Sequence, residues 1–236
     1  MNYSPYAPPG NTARQGGGFF IFESLGWKTT WTAVLIAVAT FLGVLVLGLA
    51  SLVGTPSEKN LAGVLLLGFI TIASQLISIG ASVLFLVWMH QASKNVHTFR
   101  RLGLDFTPGW CVGWWFIPFF SMWKPYQALK EIWLASDASS ATAAGDSWRT
   151  RRVPWTFPFW WATYLLSGFL ALGGAAGSAI AAFQHASSSV SDGVLWVSMF
   201  LSAMATVAVI SIIRQLDRRQ EASAHALATA VEPHYA

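Results

Sequence analysis

The chain has 236 residues, and 10% of them are charged, against about 25% in an ordinary soluble domain. Hydrophobic residues make up 54% and the mean hydropathy is +0.51. That composition excludes a disordered chain, and a single Cys excludes a disulfide-stapled scaffold. The sequence pI of about 9.5 resembles a nucleic-acid binder only until the 14 Lys and Arg are placed on the chain.

From the N-terminus, the first 18 residues are polar, rich in Pro and Gly, and lack the apolar core of a signal peptide. Residues 1–26 are expected to be a disordered tail. Runs without Asp, Glu, Lys or Arg then extend over 29 residues from Thr29 to Ser57 and 34 from Asn60 to Ser93. Two more cover 39 residues from Val153 to Ser191 and 21 from Gly193 to Ile213. About 20 apolar residues cross about 30 Å of hydrocarbon as a helix, and lipid leaves the backbone no other choice. The expectation is an all-α integral membrane protein with spans at about 30–54, 62–89, 155–183 and 193–213. They would form one membrane domain over 27–213, with a C-terminal tail at 214–236.

Between spans two and three, the apolar stretch Trp110 to Trp123 has only 14 residues, interrupted by Gly113 and Pro118. At about 1.5 Å per residue it is too short to cross. It is expected to be interfacial, re-entrant or packed between helices, within a segment at 104–136 that also carries a Pro125-led amphipathic helix. On that helix Tyr126, Leu129, Ile132 and Trp133 would form one side, and Gln127, Lys130 and Glu131 the other. The sequence SDASSATAAGDS then makes a flexible link to the basic cluster WRTRR.

The cations give an orientation. With four spans, 13 Lys and Arg fall on the side of both termini and the middle segment, and only Lys59 on the other. By the positive-inside rule, both termini and the middle segment are expected to be cytoplasmic. The basic pI is then topological, and no nucleic-acid partner is implied.

Twelve of the 13 Trp, all but Trp196, would lie near that cytoplasmic interface. An anchoring belt explains them, because indole joins an apolar body to one N–H donor. Trp110, Trp114, Trp115 and Trp123 could instead line a pocket for a flat or lipid-like ligand. Small residues recur every four positions: Ser74, Ser78 and Ser82 beside Gln75 on span two, Gly173, Gly177 and Ala181 on span three, and Ser198, Ser202 and Thr206 on span four. Such rows let helices approach closely, within the bundle or between copies.

Span two should continue past the membrane as a helix to about Leu102. His90, Lys94, His97 and Arg101 then share a face opposite Trp88, Ala92, Val96 and Phe99. This basic stripe could meet anionic headgroups. His90 and His97 lie about 10 Å apart along the axis, too far to share a zinc ion.

Trp88, Ala92, Asn95, Pro108, Gly109, Phe116, Ile117, Pro118, Pro125 and Trp133 resemble the pattern of the bacterial membrane family known as domain of unknown function 4328. The resemblance centres on 88–133. It implies a multi-span bacterial inner-membrane protein and supplies no activity or catalytic residue.

H-E-x-x-H, G-x-x-x-x-G-K-[ST] and G-x-S-x-G are not found in the chain, and no enzyme activity or cofactor is expected. The leading functional expectation is a non-enzymatic protein that binds membrane lipid, anionic lipid included, or a protein partner through its cytoplasmic-side segment. The residues proposed for contact are His90, Lys94, His97, Arg101, Trp110, Trp114, Trp115, Pro118 and Trp123. The alternative is an oligomeric channel or transporter for a neutral or lipid-like solute, motivated by the Ser rows, Gln75 and the Gly113 and Pro118 breaks.

Overall fold

The computed structural model describes residues 12–15, 18–53, 60–99, 103–138, 147–184 and 189–231. Strands β1 (Thr12–Gln15) and β2 (Gly18–Ile21) pair antiparallel, with Thr12 opposite Ile21. Four long helices follow the expected order: α1 (Gly26–Val53), α2 (Leu61–Thr98), α5 (Thr156–Phe183) and α6 (Ser189–Val231). Between α2 and α5 lie two shorter helices, α3 (Pro108–Gly113) and α4 (Lys124–Ala135). All four long helices are long and apolar enough to cross a membrane.

Three boundaries differ from expectation. The N-terminal segment is ordered against the protein by Phe22–Leu25, with Leu25 1% exposed, so a disordered tail does not reach residue 26. The segment after Ile213 is not a tail: α6 continues through it to Val231. RQLDRRQEASAHALATA contains good helix formers and no Gly or Pro. The expected single membrane domain is two compact units, one built from 1–30, 85–155 and 212–236, the other from 31–84 and 156–211.

The second unit contains the stretches that are long and apolar enough to cross a membrane. Its parts of α1 and α2 are each about 34–36 Å long at 1.5 Å per residue, enough for the hydrocarbon core. The four helices carry large exposed apolar side chains in this unit, among them Phe41 on α1, Phe69 on α2, Phe169 on α5 and Phe200 on α6. Inside, helices meet where small residues allow it. The Thr40 and Thr206 hydroxyls lie 2.7 Å apart, joining α1 to α6. Gly174 faces Leu195 of α6 so closely that an added Cβ would stand 2.8 Å from its side chain.

The first unit has a core of fully buried side chains. Trp88, Met89 and Ala92 of α2, Leu129 of α4, and Ile212, Ile213 and Leu216 of α6 are fully buried there. The Trp88 indole N–H donates to the Thr29 hydroxyl at 3.0 Å. Trp133 and Trp148 are also buried in this unit, and Trp160 and Trp161 in the other. These five Trp are therefore packing residues and not members of an interfacial belt; Trp27, Trp31, Trp110, Trp123 and Trp155 remain exposed.

Candidate functional site

The expected basic stripe does not form an open face. His97 is 7% exposed, and its Nδ1 lies 2.8 Å from the Ser93 carbonyl. A carbonyl only accepts, so Nδ1 carries the proton, and burial holds the imidazole below its ordinary pKa. His90 is half-buried and donates in the same way to the Pro108 carbonyl at 3.0 Å. Lys94 is half-buried. Arg101 lies outside the described residues, as do Arg100, Lys59 and the link 139–146. The 104–136 segment folds back over part of this face: Cys111 on α3 is fully buried, with Sγ 3.3 Å from the Ser93 hydroxyl.

That segment is fixed by local rules. Thr107 caps α3 by accepting from the Trp110 N–H, and Pro108 occupies the first turn. A 3₁₀ turn at Trp114–Phe116 follows, and Ile117 before Pro118 is extended, as a residue preceding proline tends to be. Phe119 then takes φ 66° and ψ −51°, and the Phe120 N–H donates to the Pro118 carbonyl at 2.8 Å. This is a γ-turn of the strained, positive-φ kind, and Phe119 is the one non-glycine with positive φ among the described residues. The expected break at Pro118 is present, and α3 and α4 do not join.

Around this turn the aromatic side chains form a ridge. Trp110 packs tilted against Trp114 at 4.8 Å between ring centroids, Trp114 meets Phe120 at 5.3 Å, and Phe120 meets Trp123 at 5.5 Å. The Lys124 ammonium lies 5.7 Å from the Trp114 ring centroid and 5.5 Å from that of Phe106. Phe116 is 70% and Phe119 76% exposed, with Trp110, Phe120 and Trp123 each above 40%. Trp115 turns the other way and packs edge-on against Phe85 at 5.6 Å. The four Trp singled out in the sequence therefore divide: Trp110, Trp114 and Trp123 share the ridge with Pro118 at its corner, and Trp115 faces the core.

Glu131 also corrects an expectation. It lies on the buried side of α4, where its carboxylate accepts the backbone N–H groups of Asp105 at 2.8 Å and Phe106 at 3.1 Å. Burial pushes its pKa above the ordinary carboxyl value, while the two N–H bonds oppose that shift. Asp105 pairs with Arg149 at 3.0 Å, and Asp137 bridges Arg151 and Arg219. Among the described residues no group of three His, Cys, Asp or Glu could hold a metal ion.

A buried amide cluster joins the start of the chain, α2 and α6. Asn95 Nδ2 donates to Gln220 Oε1 at 2.9 Å and to the Glu23 carbonyl at 2.7 Å. Asn95 Oδ1 accepts from the Glu23 N–H and from Gln91 Nε2, both at 3.1 Å. Gln220 Nε2 donates to the Ala92 carbonyl and the Ser136 hydroxyl. Its signal in the sequence is the spacing Ile212, Leu216, Gln220, Ser223, one face of a helix running past the charged residues.

In the membrane unit the Ser row of α2 is satisfied within its own helix: Ser74, Ser78 and Ser82 donate to the carbonyls of Thr71, Ser74 and Ser78. Ser198 donates to the Leu195 carbonyl, and Ser202 is half-buried. On α5 an added Cβ at Gly173 would meet nothing within 4 Å, whereas Gly174 and Gly177 abut α6. Gly113 and Pro118 lie outside the membrane unit, so they do not break a spanning helix. Gly113 and Pro118 thus lose the role they had in the transport reading, while Gln75 of α2 is exposed.

The model of the family described as "Domain of unknown function (DUF4328)" matches residues 56–218, a range wider than the 88–133 on which the resemblance centres. No curated protein and no solved structure matches the chain.

Proposed function

The chain belongs to the family of the domain of unknown function DUF4328, and from that membership we propose that it is a non-enzymatic bacterial inner-membrane protein that acts by contacting lipid through the ridge at Trp110–Trp123. The cation distribution of the sequence supports cytoplasmic termini and a cytoplasmic-side ridge. The observation that carries the reading is the exposure of Phe116 and Phe119 on either side of Pro118. Two exposed Phe, one of them on a strained turn, are costly in water and favourable in the acyl boundary. Trp110 and Trp123 beside them suit the headgroup layer, since each offers one N–H donor. Lys124, together with exposed Lys130, would favour anionic headgroups by roughly 1 kcal/mol each.

This reading moves lipid contact from the histidine stripe to the aromatic corner. The test is a spin label at Phe119→Cys in the full chain, reconstituted in nanodiscs of phosphatidylglycerol or phosphatidylcholine. Cys111 is buried, so the label should react only at the new site. Collision with oxygen above collision with a water-soluble nickel chelate is expected, more strongly with the anionic lipid. A label open to the nickel chelate in both lipids would sink lipid contact and point to a protein partner instead.

A further inference from the structure

An amide in hydrocarbon needs a partner, because no water is there to supply one. Gln75 lies about 21 Å along α2 from Leu61 and about 14 Å from Leu84 at 1.5 Å per residue, so it is at membrane depth from either end. It is exposed on the surface of the membrane unit. No described residue hydrogen-bonds its side chain, although its hydroxyl neighbours Thr71, Ser74 and Ser78 all bond their own helix.

The surface around Gln75 has a repeat. Leu65, Gly68, Ile72, Gln75, Ile79 and Ser82 are spaced alternately three and four residues apart, and every one is exposed. That is the spacing found along the seam of a left-handed helix pair, with Leu and Ile at one position and Gly, Gln and Ser at the other. An added Cβ at Gly68 would meet nothing within 4 Å, so a second helix could approach the backbone there.

We propose that the protein forms a homodimer along α2, with Gln75 hydrogen-bonded to Gln75 of a second copy. Copies inserted in one membrane share one orientation, so two α2 helices at a two-fold axis run parallel and hold their Gln75 side chains at equal depth. The primary amide is self-complementary. The N–H of each donates to the carbonyl of the other, and both polar groups leave the hydrocarbon together. A lipid tail offers neither donor nor acceptor at that depth. The occupant that matches the amide is therefore the same amide on a second chain.

The test uses the full chain in liposomes. Single-Cys variants along α2 are oxidised, with native buried Cys111 as the background. Cross-linking should peak at Gly68→Cys, Ile72→Cys and Ile79→Cys, and be low at Leu66→Cys, Phe69→Cys and Leu76→Cys. The latter three are also exposed but lie off the seam. Energy transfer on dilution into excess lipid should show Gln75→Leu weakening the dimer by about threefold to about twentyfold, and Gln75→Asn by less. A lipid-facing substitution leaves the fold of each copy intact, so Gln75→Leu reads association alone. Cross-links peaking off the seam, a stoichiometry above two, or a Gln75→Leu protein that associates like wild type would each overturn the proposal.

Discussion

Asn95 and Gln220 are 125 residues apart in the chain, yet the Nδ2 of one stands 2.9 Å from the Oε1 of the other in a site where both are at most 1% exposed. Asn95 also closes on both backbone groups of Glu23. One amide thus fastens the start of the chain, α2 and the end of α6. Asn95→Leu would strand Gln220 Oε1, Gln91 Nε2 and the Glu23 backbone pair without partners. An unpaired buried group costs about 1–3 kcal/mol, so a loss of about 3 kcal/mol is expected. Amide hydrogen exchange should show α4 and residues 212–228 losing protection while Trp31–Val53 keeps it. Equal loss in both units would contradict the division of the core.

Glu131 gives a pH dependence of definite sign. Its folded pKa is raised by burial above the ordinary 4.5, so the folded state binds the proton more tightly than the unfolded chain. Its contribution to stability is therefore full below pH 4.5 and falls as pH rises from there through the raised value. Glu131→Gln removes that titration and keeps one acceptor for the Asp105 and Phe106 N–H groups. Melting curves should show the variant gaining on wild type as pH rises from 4 to 7. A difference independent of pH would refute the assignment.

Gly173 and Gly174 are adjacent and should respond in opposite directions. At Gly174 a methyl would stand 2.8 Å from the Leu195 side chain and 3.3 Å from the Ser191 carbonyl. Gly174→Ala should cost about 1–3 kcal/mol by overpacking. At Gly173 the methyl meets nothing, and Gly173→Ala should be neutral or gain up to about 1 kcal/mol from helix propensity. Thermal unfolding in one detergent compares the pair directly.

Cys111 should be inert. Burial pushes its thiol up to about 11, against an ordinary 9.0, and the side chain is fully covered. At pH 8 the reactive thiolate is then scarce, and the reagent has no access. Maleimide should label the folded protein no faster than the protein opens, and label it at once in denaturant. Rapid labelling in the native state would show that α3 lifts from Ser93.

Phe119→Gly separates strain from contact. Glycine adopts positive φ without penalty, so stability should hold or rise by about 1 kcal/mol. The variant should meanwhile lose the lipid contact that an exposed ring supplies, read as weaker energy transfer from the ridge Trp to a headgroup-labelled lipid. A protein destabilised by the change would mean that the Phe119 ring packs the fold.

The sequence alone determined the four helices long and apolar enough to cross a membrane, their order and the stop at Pro118. Each follows from one-dimensional signals: charge-free runs longer than hydrocarbon is thick, and a proline preceded by extended backbone. The family membership was also legible, in Trp88, Asn95, Pro118 and Trp133. What a local pattern could not give was which side of each helix found a partner. His97 and Glu131 look solvated on a helical wheel and are buried, because the 104–136 segment returns over α2 and its own backbone N–H groups need an acceptor. Gly174 and not Gly173 meets α6, since a row of small residues gives the spacing of a contact but not its azimuth. The tail that became α6 and the Asn95–Gln220 pair required long-range closure. A buried amide reads as an ordinary polar residue until its partners, more than a hundred positions away, are brought within 3 Å.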